Sequence, residues 1–153
     1  MKSIEELLAG HRFCKDMPPA MIAALAKQGT FHQERAGRFA VHEGDPAGLL
    51  LILRGKLRVE THGPGRPATM LETLAAGDAF GSSWVFPPHR WIFDVQAIED
   101  AEFVSFEGEA LRQLVDTDVQ LGNALLKRLV RMLTERLRAT RLQLTDVYRQ
   151  PAQ

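Results

Sequence analysis

The chain has 153 residues, 45% apolar and 25% charged, with 12 glycines and 8 prolines, the make-up of an ordinary folded domain rather than a disordered or fibrous chain. Roughly 70% of the unfolded surface is buried at this size, and the lone cysteine, Cys14, excludes an internal disulfide, a four-cysteine zinc site and an iron–sulfur cluster. The net charge of zero hides an asymmetry: from residue 127 onward seven cations face two carboxylates, leaving twelve against seventeen in the rest, so an anionic partner is expected at the tail.

The opening Met1-Lys2-Ser3-Ile4-Glu5-Glu6 is acidic, and no apolar run approaches the roughly 20 residues that span a bilayer. A cytoplasmic protein, neither exported nor membrane-bound, is the expectation. Ile4, Leu7 and Leu8, then Met21, Ile22 and Leu25, recur at helical spacing on either side of Asp16-Met17-Pro18-Pro19. Two short helices follow, with Pro18 or Pro19 in the first turn of the second and Asp16 as its cap.

From Thr30 to Phe106 the period changes. Short runs at 39–41, 49–53, 57–59, 70–74, 92–97 and 103–106 alternate with turns at Gly37, Glu43-Gly44-Asp45-Pro46, Arg54-Gly55-Lys56, Gly63 to Pro67 and Gly77-Asp78, which reads as antiparallel β in a sandwich or roll. The stretch His62 to Pro67 is a hairpin tip, and no internal repeat is found. Beyond Gly108 helix formers take over: Leu111, Leu114 and Val115 make one stripe, and Asp116-Thr117-Asp118 caps a longer helix running from about Val119 to about Val147. Along that helix Leu126, Leu129, Leu133, Leu137, Thr140, Leu144 and Val147 form a seam. Leu121, Leu125, Val130, Met132 and Leu142 widen the apolar arc beyond what one small domain covers, which points to a partner helix.

The segments Gly37-Arg38-Phe39-Ala40-Val41-His42-Glu43-Gly44-Asp45-Pro46, Leu50 to Val59 with its Arg54-Gly55-Lys56 turn, and Leu74-Ala75-Ala76-Gly77-Asp78-Ala79-Phe80-Gly81 resemble the cyclic-nucleotide-binding domain superfamily over roughly residues 4 to 147. The implied fold is α+β, an antiparallel double-stranded β-helix (a jelly-roll-like β-roll). A single domain spans 1–153: N-terminal helices over 1–29, the roll over 30–107 with its cassette at 77–93, and C-terminal helices over 108–150. In that family a loop and helix after the Phe-Gly pair hold a cyclic phosphate on backbone amides, while a glutamate takes the ribose hydroxyl and an arginine the phosphate. Here Ser82 stands at the glutamate's position and Trp91 at the arginine's. Losing two such contacts, each on the order of 1.5–3 kcal/mol, weakens cyclic nucleotide binding by about two powers of ten or more.

The resemblance therefore implies a non-enzymatic ligand-sensing module with altered or lost cyclic nucleotide binding, taking a cyclic nucleotide or another small anion. Its candidate site is Phe80, Gly81, Ser82, Ser83, Trp84, Arg90 and Trp91. A register shift through Pro87-Pro88 would present Arg90 to the anion; otherwise it is a solvated residue or pairs with Asp94. Trp84 and Trp91 either stack on a planar ligand or fill the pocket, the size of Trp91 favouring filling. A ligand-free scaffold acting on an unknown effector protein through the C-terminal helix is the alternative, and a homodimer through that helix is expected.

His11, His32, His42, His62 and His89 show no His-x-His or His-x-x-x-His spacing, so no metal site is expected. His11 and Cys14 lie one turn apart, a spacing that serves haem or redox sensing as well as inert packing, and packing is favoured. No catalytic elbow, P-loop or carboxylate pair points to an enzyme, and no cofactor is called for. Six cations between Lys127 and Arg141 suit phosphate contact, but the chain ends shortly after the helix without a recognition helix, so nucleic acid is not the expected partner.

Overall fold

A computed structural model describes residues 1–149. Helix α1 (Ile4–Ala9) opens with a reciprocal cap, Ser3 accepting from the Glu6 amide while the Glu6 carboxylate reaches back to Ser3. A 3-10 turn (Arg12–Cys14) and α2 (Pro19–Ala26) follow. Pro19 does sit in the first turn of α2, but Asp16 is not its cap: Pro18 holds that position without a side-chain bond, and Asp16 adopts φ 64° in the turn before it.

The strands are β1 (Gly29–Glu34), β2 (Phe39–Val41), β3 (Gly48–Arg54), β4 (Lys56–Thr61), β5 (Thr69–Ala75), β6 (Ala79–Phe80), β7 (Asp94–Ala97) and β8 (Ala101–Glu107). They form two antiparallel sheets, ordered β1-β8-β3-β6 and β2-β7-β4-β5, so the α+β roll holds. The anticipated turns carry glycines of positive φ at 37, 44, 55, 65 and 77. Strand β7 starts at Asp94 rather than Ile92, because the preceding residues are tied across a loop by the Trp91 amide donating to the Asp45 carbonyl.

Alternation along β3 and β8 divides the interior. Leu49, Leu51, Val104 and Phe106 face the helices and pack with Leu8, Leu25 and Leu125; Leu50, Ile52, Ala101 and Phe103 face into the roll beside Val95 and Leu57. Strands buried on both faces are continuous apolar runs, as Leu49 to Leu53 is.

Helix α3 (Gly108–Thr117) leads into α4 (Val119–Arg149). Asp118 caps α4, accepting from the Leu121 amide at 3.1 Å. Where α4 crosses α3, Gly122 lies against Val115, whose Cα a Cβ there would meet at 2.9 Å. Leu121, Leu125, Leu129 and Met132 are buried against the rest of the fold, whereas Val130, Leu133, Leu137, Leu142, Leu144 and Val147 are exposed. Leu129 thus belongs to the inward stripe and not to the outer seam. The expected boundary at residue 150 lies outside the described residues.

Candidate functional site

The turn after β6 is built by close packing. Phe80 pairs with Leu50 of β3, and Gly81 takes φ +125°. A Cβ at Gly81 would collide with the Gly48 carbonyl and stand 2.7 Å from the Trp91 indole, so only glycine lets the chain pass between them. From Ser82 to Arg90 the backbone runs in turns, with no helix. The helix implied by the family resemblance is therefore absent, the Pro87-Pro88 pair having replaced the amides a helix there would need.

Among the described residues the amides of Ser82, Ser83 and Trp84 donate to no protein acceptor. Free successive amides can hold an anion where the turn aims them together. Phe80, Gly81, Ser82, Ser83 and Trp91 line one hollow of about 150 Å³, together with Glu72 of β5 and Met132, Leu133 and Arg136 of α4. Ser82 and Trp91 thus face the same concavity.

Arg136 is the residue that sequence reading left in the basic tail. Its Nη1 donates to Glu72 Oε1 at 2.7 Å, its Nη2 donates to the Ala79 carbonyl, and its Cζ lies 5.0 Å from the centre of the Phe80 ring. A signal was present: Arg136 continues the three-and-four spacing of Leu125, Leu129 and Met132, the face that α4 turns inward. No local pattern marks Glu72, which meets Arg136 across 64 positions.

The two tryptophans have separate roles. Trp91 is 5% exposed and stacks on Phe80, ring centroids 5.7 Å apart and planes within 4°, so it fills much of the hollow. Trp84 does not reach it. Its indole is 1% exposed in the helix-facing core, its Nε1 donates to the Gly81 carbonyl at 3.0 Å, and its own carbonyl accepts from Arg112 at 2.9 Å. Trp84 is the internal brace of the turn.

Nor does Arg90 line this hollow. Its side chain is exposed, with one long contact to the Gly44 carbonyl at 3.4 Å. The alternative pairing with Asp94 is also overturned. Asp94 sits 2.5 Å from His62 Nδ1 and accepts from the Glu43 amide at 2.6 Å, which leaves its carboxylate no part in holding Arg90.

His11 and Cys14 are tied into the core. His11 Nδ1 accepts from the Phe13 amide and Nε2 donates to the Ile52 carbonyl, each at 3.0 Å, which fixes the neutral Nε2–H tautomer. Burial lowers the His11 pKa below its ordinary value. Burial also raises the Cys14 thiol to about 11, so it is not a nucleophile at neutral pH. Among the described residues no group of three or more His, Cys, Asp or Glu side chains is arranged to hold a metal ion, and no helix is long and apolar enough to cross a membrane.

A two-sheet antiparallel roll with N-terminal helices, a glycine-hinged loop between its sixth and seventh strands and a long C-terminal helix defines the β-roll class of domain. The chain belongs to the cyclic nucleotide-binding domain family, whose profile matches residues 32–118. It is 28% identical over 145 residues, 94% of this chain, to the CRP-like cAMP-activated global transcriptional regulator of Mycobacterium tuberculosis, and it spans 63% of that relative's length. Two solved structures share the fold. A putative cyclic nucleotide-binding protein from Geobacter metallireducens GS-15 has a TM-score of 0.77 at 20% identity, over 90% of this chain and 99% of that one. A cyclic nucleotide-binding domain from Methylobacillus flagellatus KT has a TM-score of 0.77 at 23% identity, over 99% of this chain and 84% of that one.

Proposed function

We propose that the chain is a non-enzymatic, ligand-sensing regulatory module of the cyclic-nucleotide-binding type whose cassette has exchanged its customary grips. The supporting observation is Arg136: a guanidinium from α4, paired with Glu72, stands in the hollow where Trp91 occupies the place of the family's arginine. The amides and hydroxyls of Ser82 and Ser83 together with Arg136 receive an anion, which competes with Glu72 for the guanidinium. Because that guanidinium is carried by α4, exchanging Glu72 for a ligand shifts the helix, and the helix passes the change to a second copy through Val130, Leu133 and Leu137.

A hollow of about 150 Å³ lies below the roughly 300 Å³ at which small-molecule sites begin, so an intact cyclic nucleotide enters only by displacing Trp91 or Arg136. Cyclic nucleotide affinity is accordingly reduced. Titrating cyclic AMP, cyclic GMP and inorganic phosphate, followed by tryptophan fluorescence and calorimetry, tests the reading. The double variant Ser82→Glu with Trp91→Arg gains cyclic AMP binding by about a hundredfold. An unchanged titration in a folded double variant rejects the assigned register.

The stacked Phe80–Trp91 pair and the Arg136–Glu72 bridge equally support a second reading, a plugged roll serving as a ligand-free scaffold through the exposed leucines of α4. No response to any of these ligands at about millimolar concentration selects it.

A further inference from the structure

Trp91 is a wall shared by two hollows. Behind it lies one of about 630 Å³, against about 150 Å³ for the cassette, and it plays no part in the function proposed above. The larger hollow is bordered by His32 of β1 and Val41 of β2, each strand at one edge of its sheet, and by β3, β8 and the loop before Trp91. Its size falls within the roughly 300–1,000 Å³ of small-molecule sites, which combine apolar walls with a few convergent polar groups.

The lining mixes apolar and polar groups in nearly equal measure and is open to solvent on one side. Val41, Leu50, Trp91 and Phe103 supply apolar surface from four separate segments. His32 supplies an oriented polar edge: its ring stacks on Phe103, centroids 5.0 Å apart and 19° between planes, and its Nε2 lies 2.7 Å from Ser105 Oγ. At the rim stands Arg90, whose guanidinium makes only the 3.4 Å contact with the Gly44 carbonyl and, among the described residues, no ion pair. Arg112 also borders the hollow but is held by the Trp84 carbonyl, and Glu107 and Glu109 stand beside it. One cation is thus available, in surroundings that repel a second negative charge.

We propose that this hollow is a separate binding site for a planar aromatic monocarboxylate. The ring packs on Val41 and on the rims of Trp91 and Phe103, which are themselves stacked on Phe80 and His32. The carboxylate takes the fork of Arg90, whose geometry matches two oxygens of one acid, and a polar ring substituent meets the His32–Ser105 pair. On this reading Arg90 serves this hollow rather than the cassette.

Calorimetric titration of the full chain with 2-naphthoate, and with the neutral 2-naphthamide as its isostere, tests the proposal. Saturable naphthoate binding below about 1 mM is expected, with the amide and the Arg90→Gln variant each weaker by about tenfold or more. Ser105→Leu, which removes the hydroxyl beside His32 and narrows the hollow, weakens binding, and Arg136→Gln leaves it unchanged. The proposal is overturned by the absence of saturable binding, by equal affinity for the amide, or by loss in Arg136→Gln with retention in Arg90→Gln, which would put the acid in the cassette. Should Ser105→Leu fail to fold, Arg90→Gln decides alone, because Arg90 is exposed and its loss leaves the core intact. The Arg136 arm keeps failure here distinct from failure of the cassette reading.

Discussion

The two halves of α4 both carry apolar residues at helical spacing but have opposite surroundings. In the first, Leu121, Leu125, Leu129 and Met132 are buried against the roll and the N-terminal helices; in the second, Leu137, Leu142, Leu144 and Val147 face outward. Arg136 sits at the changeover, the last inward-facing contact before the helix leaves the roll. An apolar stripe thus marks a surface that will be covered without saying by what, and the charged residue that ends the covered part is the one that reaches the candidate site.

Substitutions that separate the halves sharpen this contrast. The largest effect is expected from Leu125→Ala, which opens a cavity in the helix-facing core and costs about 2–5 kcal/mol in chemical denaturation. A loss like that of an exposed site would break the distinction. Arg136→Gln removes a partly exposed bridge and lowers stability by only about 1 kcal/mol, while reducing phosphate affinity of the cassette by about tenfold in calorimetry. Retained anion affinity would remove Arg136 from the site.

The His11 contribution is smaller and depends on pH. Its folded pKa is depressed by burial below 6.5, so protons bind the unfolded chain first. Stability attributable to His11 is present above pH 6.5 and is lost as pH falls through the lower folded value. Urea midpoints measured from pH 7.5 to 5 are expected to decline, with a shallower slope in His11→Asn; equal slopes would deny His11 this role. The smallest stability effect is expected for Leu137→Glu, within about 0.5 kcal/mol for the isolated chain. Its effect appears instead in light scattering, as a shift from dimer to monomer. A dimer that survives the charge would place the interface elsewhere.

The parts of the fold legible in the sequence are those decided by near neighbours. The turns at Gly37, Gly44, Gly55 and Gly77 could be read because left-handed backbone selects glycine, and Asp118 because an aspartate before an apolar run caps it. Asp16 misled for a related reason. It has a capping side chain, but Pro18 at the helix entrance fixed the chain so that Asp16 was spent on the turn. Strand β1 escaped notice because Gly29-Thr30-Phe31-His32-Gln33-Glu34 lacks clean alternation; its pairing with β8 defines it.

The candidate site was half legible. Phe80, Gly81, Ser82, Ser83 and Trp91 are placed by one turn and could be grouped from sequence, whereas Arg90, only one residue from Trp91, opens onto the other chamber. The bridge Pro46–Arg90 holds Arg90 at the larger hollow, whereas Trp91 borders both. Trp84 was drawn into the core by its bond to Gly81.

By itself the sequence determined the class of elements, their order and the places where the chain turns, because periodicity, capping and backbone sterics act over a few residues; the serine and the indole of the cassette came from family resemblance alone. Only the tertiary structure decided that Arg136 meets Glu72, that Trp91 borders two hollows and that Arg90 and Ser82 line different ones. Those outcomes depend on which distant surfaces pack together, and packing free energy is a property of the assembled neighbours rather than of any one segment.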